Sequence, residues 1–89
     1  MSFKVNLNPT PDQAELLLTW IRGRILDYYM KVQPTESLQF VMAYADRVNE
    51  TVYGYLRGHR KLDGSCSDLE CDLGLRAYNT FKDIFRRED

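Results

Sequence analysis

The stretch AELLLTWIRGRILDYYMKV, residues 14–32, decides the fold. Plotted at 100° per residue, Ala14, Leu17, Leu18, Ile21, Ile25, Tyr28, Tyr29 and Val32 gather on one side, as an amphipathic helix requires. Leu16, Trp20, Gly23, Leu26 and Met30 gather on the other, with Leu16, Gly23 and Met30 seven residues apart. A small domain covers one such side with its own residues. The second side is therefore expected to meet a partner.

The start of this helix is written in the residues before it. Thr10 is a favoured N-cap, Pro11 suits the first helical position, and Gln13 completes a T-x-x-Q capping box. Pro34 disfavours helical geometry at Gln33 and ends the helix near Val32. Thr35 is then expected to cap a second helix, with Glu36 near the positive end of its dipole. So short a connection makes the two helices an antiparallel hairpin.

The second helix is expected over 35–57, with Leu38, Val41, Met42, Ala45, Val48, Val52 and Leu56 as its core stripe. Phe40, Tyr44 and Tyr55 widen the apolar arc. Asn49 falls inside that arc, where it is expected as a satisfied side chain at the bundle edge; contact with a ligand is the alternative. A loop covers 58–67, with Gly64 and Ser65 in its middle. Ser67-Asp68-Leu69-Glu70 reads as an S-x-x-E box opening a third helix over 68–87. Its inner stripe is Leu69, Leu73, Ala77, Phe81 and Ile84. Ahead of the helices, residues 1–9 form an arm in which Phe3, Val5 and Leu7 alternate as an extended strand does. One strand is not stable alone, so the arm is expected to pack on its own bundle, with pairing to another copy as the alternative. The fold expected is all-α, one small bundle of three helices with a short extended N-terminal arm.

Composition narrows function mainly by exclusion. With 89 residues the chain makes one domain. Hydrophobic content of 44% and charged content of 28% describe a folded chain rather than a disordered one. A net charge of -1 argues against a general polyanion binder. The run from Leu16 to Ile21 stops at Arg22, far short of the roughly 20 apolar residues that cross a membrane. Met1-Ser2-Phe3-Lys4-Val5 lacks the pattern of a secretory leader, so a cytoplasmic protein is expected. In that setting Cys66 and Cys71 are expected as reduced thiols, with a local disulfide as the alternative in an oxidising one. With His59 they offer only three soft ligands, so no metal is expected.

Enzyme chemistry finds no foothold. His59 is the sole histidine, and no serine-centred elbow or phosphate-cradling glycine loop accompanies it. Asp27, Asp46 and Glu50 read as solvated helix charges; Asp27 with Lys31, Arg47 with Glu50, Asp72 with Arg76 and Asp83 with Arg87 have helical pair spacing. No catalytic residue and no cofactor are therefore expected. The leading expectation is a non-enzymatic protein–protein interaction module, a regulator or inhibitor that self-associates. Its interface would use Leu16, Trp20, Gly23, Leu26, Met30, Phe40, Tyr44 and Tyr55, since aromatic side chains suit interface cores. The alternative is a nucleic-acid or nucleotide binder using Arg57, His59, Arg60 and Lys61. Those cations also suit the C-terminal end of a helix, which is the simpler account of them. The layout Thr10-Pro11-x-Gln13, then Pro34-x-Glu36-Ser37-Leu38, resembles that of small helical phage proteins that sequester cyclic nucleotides, across about half of the chain. The third helix departs from that layout, and no family is assigned on it.

Overall fold

A computed structural model describes residues 6–32, 34–59 and 69–85, together with the backbone of Ser2–Phe3 and Leu62–Asp63. Three helices carry the architecture: α1 (Pro11–Val32), α2 (Leu38–Leu56) and α3 (Leu69–Phe81). Two-residue strands β1 (Ser2–Phe3) and β2 (Leu62–Asp63) pair antiparallel, Ser2 opposite Asp63 and Phe3 opposite Leu62. The result is a small three-helix bundle in which α2 packs against both other helices. The arm closes on its own chain. Leu7 is buried, and its N–H donates to the Leu56 carbonyl at 2.6 Å.

The capping box of α1 forms in both directions. Thr10 N–H donates to Gln13 Oε1 at 2.9 Å, and Gln13 N–H donates to Thr10 Oγ1 at 3.3 Å. Two N–H groups that the helix itself leaves without acceptors are thereby satisfied. The same Gln13 donates from Nε2 to the Ile84 carbonyl at 2.9 Å, joining the start of α1 to the chain after α3.

At α2 the expectation shifts by two residues. The cap is Ser37 rather than Thr35, with φ -69 and ψ 149, and its side chain accepts from Phe40 N–H at 3.1 Å. Pro34 and Thr35 lie in the turn instead. The other end of α2 closes through a glycine. Gly58 takes φ 82, its N–H reaches the Tyr55 carbonyl at 3.1 Å, and His59 N–H reaches the Gly54 carbonyl at 2.9 Å. These are the two hydrogen bonds of a Schellman motif, and a left-handed residue is what permits them.

The core is a single cluster. Leu17, Ile21 and Ile25 of α1 meet Val41, Ala45, Val48, Val52 and Leu56 of α2, and Leu73, Ala77 and Phe81 of α3 close it. Tyr28 and Val32, read as core, are exposed, as is Leu38. The buried run of α2 begins only at Val41, so the hairpin end projects past the shared core. α3 ends at Phe81, well short of residue 87. Past that end Phe85 is buried (3%) and stacks on Phe81 at 4.6 Å, whereas Ile84 is 54% exposed. The turn after Phe81 thus selects Phe85 in place of Ile84. Ser67 and Asp68, Arg86 and Arg87 lie outside the described residues.

Candidate functional site

The expected interface residues do not form one surface. Leu16, Gly23 and Met30 do face outward along α1; a Cβ built on Gly23 meets nothing within 4 Å. Trp20 turns away from them. It is half-buried, its ring meets Phe81 edge-on at 5.9 Å, and Arg24 lies 5.3 Å over its other side. Leu26 is half-buried against the core. A helix wheel of α1 alone puts both on the outer side. α3 supplies a neighbour for Trp20 that no wheel contains.

Met30 leads onto the hairpin end. There Leu26, Tyr29, Met30, Leu38 and Val41 line a depression of about 180 Å³. Tyr29 is the hub of the aromatic residues beside it, edge-on to Tyr28 at 5.5 Å, Phe40 at 5.9 Å and Tyr44 at 5.8 Å. Phe40 keeps an exposed face, while Tyr44 is half-buried and covered by Arg47 at 5.3 Å. Tyr55 belongs elsewhere. Its hydroxyl lies 3.7 Å from Cys71 Sγ, in the seam between α2 and α3.

Cys71 corrects the thiol expectation. It is buried and disulfide-bonded, so the Tyr55 hydroxyl is the donor of that contact. The only other cysteine of the chain, Cys66, lies outside the described residues. Among the described residues no group of three His, Cys, Asp or Glu side chains is placed to hold a metal ion. No helix there is long and apolar enough to cross a membrane.

Of the basic segment, Arg57 and His59 are described and Arg60 and Lys61 are not. Arg57 is engaged within the fold. Its guanidinium donates to Asn8 Oδ1 and lies 6.0 Å over Tyr53, so it ties the arm to the end of α2. His59 is exposed. Of the helix pairs that spacing suggests, Asp72 with Arg76 forms among the described residues, and Arg87 lies outside them. Arg76 bridges Asp72 at 2.9 Å, and a cross-helix pair that spacing within one helix could not reveal, Arg22 with Asp46 at 2.9 Å, joins α1 to α2.

The most distinctive polar feature is Asn49. Its Oδ1 is buried and has no hydrogen-bond partner among the described residues, against the satisfied side chain expected there. Asn49 lines a groove of about 380 Å³ between α1 and α2, with Ala14, Glu15 and Leu18 on one side and Glu50 and Tyr53 on the other. Native proteins rarely leave a buried acceptor unpaired.

Fold and surfaces define a small all-helical bundle with an apolar hairpin end. The chain matches no protein-family model, no curated protein and no solved structure at a significant level.

Proposed function

We propose that this protein is a non-enzymatic interaction module, a small regulator that associates with a second copy of itself through the outer side of α1 and the adjoining hairpin end. The observation that carries this reading is the exposure of four large apolar side chains: Leu16 at 55%, Met30 at 65%, Leu38 at 63% and Phe40 at 47%. Single exposed apolar residues are ordinary; Met30 and Leu38, brought together from two helices at the hairpin end beside Phe40, mark an interaction surface, with Leu16 further along α1.

Gly23 suggests the geometry. Leu16 and Met30 stand seven residues either side of it. Two copies crossing antiparallel at Gly23 set Leu16 against the partner's Met30, an isologous contact closed by a two-fold axis. With no side chain at the crossing, the helices can approach closely.

Magnitudes define how strong this association is. About half of each of the four side chains remains to be buried, contributing on the order of 1 kcal/mol apiece and about 8 kcal/mol for two copies. Association costs on the order of 4–15 kcal/mol. The dimer is therefore weak and concentration-dependent, which suits a regulator whose face also occupies a partner's surface.

The test is a pair of charge insertions, Met30→Asp and Leu38→Asp. Both positions are exposed, so helicity and unfolding midpoint should stay near wild type while self-association is lost. Variants that associate as the wild type does would overturn the reading.

A further inference from the structure

The groove between α1 and α2 is a second surface, separate from the apolar strip. Leu18 lines it while Leu16 faces the opposite side of α1. Its floor is apolar, made by Ala14, Leu18 and the ring of Tyr53. Every charge among its lining residues is negative: Glu15 and Glu50, both exposed, form no ion pair with a described residue. Three cations of the same helices are engaged elsewhere, Arg22 by Asp46, Arg47 over the Tyr44 ring and Arg57 by Asn8. Beneath the rim lies the Asn49 carbonyl oxygen, with no donor to it among the described residues.

A ligand for this groove needs hydrogen-bond donors, positive charge and a slender apolar stem. A side chain of arginine has all three: methylenes for Leu18 and Ala14, a flat cation to lie along Tyr53, and several N–H groups for separate acceptors. An ammonium group lacks the flat face. We propose that the groove is a docking site for an arginine side chain presented by a partner protein. Its guanidinium sits between the Glu15 and Glu50 carboxylates, and a turn of the Asn49 side chain brings its oxygen, closed to water in the free protein, out to accept from it.

The test titrates the folded protein with a capped pentapeptide carrying arginine between two leucines, followed by amide chemical shifts. A matched peptide has citrulline, which keeps the shape and loses the charge. The arginine peptide should move the signals of Leu18, Asn49 and Tyr53 saturably. Citrulline, or the double variant Glu15→Gln with Glu50→Gln, should weaken binding about five- to tenfold, the scale of two partly exposed ion pairs. Asn49→Leu should abolish binding in a protein that remains folded. The proposal is overturned if the arginine peptide leaves these signals unmoved. It is equally overturned if citrulline binds as well, or if the double glutamine variant keeps wild-type affinity. Met30→Asp leaves the groove intact, so its titration should be unchanged, and failure of self-association is read separately from failure here.

Discussion

Replacing Asn49 with leucine should make the protein more stable. The Asn49 oxygen is cut off from water and pairs with nothing among the described residues. In the unfolded chain the same oxygen is hydrated, so folding strips it of a hydrogen bond without return. That loss costs about 1–3 kcal/mol. Leucine removes the acceptor and adds apolar atoms beside Leu18 and Tyr53. Overpacking, the usual penalty for a larger side chain, is relieved by about 380 Å³ of open groove into which it can extend. The net gain should be about 1–2 kcal/mol, or roughly 5–10 °C in midpoint for a domain of this size. Urea unfolding followed by the fluorescence of Trp20, which packs on Phe81, reports it directly. The unfolding midpoint should rise with the slope unchanged, the signature of stability altered without a change in compactness. Asn49→Asp, which puts a charge at the same depth, should move the other way. A leucine variant no more stable than the wild type would refute the argument, because the oxygen must then have a partner.

Other expectations are simpler to state. Gly58→Ala places a side chain at φ 82 and should cost about 1–2 kcal/mol, measurable by the same unfolding assay. Trp20→Ala should destabilise by about 1–3 kcal/mol, less than for a fully buried ring because this one is half-buried, and should leave self-association intact. A stability near wild type would show that the Phe81 contact carries nothing. Thiol labelling of protein purified without reductant should find Cys71 unreactive until reductant is added, since it is buried and disulfide-bonded; labelling on denaturation alone would contradict that assignment.

Much of the fold was legible because it depends on periodicity and local chemistry. The stripe Leu17, Ile21, Ile25 and the Thr10–Gln13 box follow from spacing within one segment, and both appear as read. What was not legible depends on distant residues. Trp20 lies on the outer arc of α1 yet is half-buried because Phe81, far along the chain in α3, meets it. The choice of Ser37 over Thr35 turned on how many residues the turn after Val32 consumes, and two adequate caps stood two residues apart. Ile84 and Phe85 were exchanged because α3 stops at Phe81, ending the periodicity that ranked them.

The site was less legible still. Spacing placed Leu16, Gly23 and Met30 outward, and placed Asn49 within the apolar arc. It could not tell that the Asn49 oxygen lacks a partner, because that depends on every neighbour at once. The cross-helix pair of Arg22 and Asp46 escaped for the same reason. Arg57 looked like one member of a basic run, and its engagement by Asn8 is a contact across the whole hairpin.

Sedimentation equilibrium over a wide range of protein concentration bears most directly on the apolar strip. The average mass should climb from that of one chain, 10.5 kDa, toward twice that value as concentration rises. A mass that stays at one chain even at the highest concentration reached would mean that Leu16, Met30, Leu38 and Phe40 are merely solvated, and the account of them as an interface would be wrong.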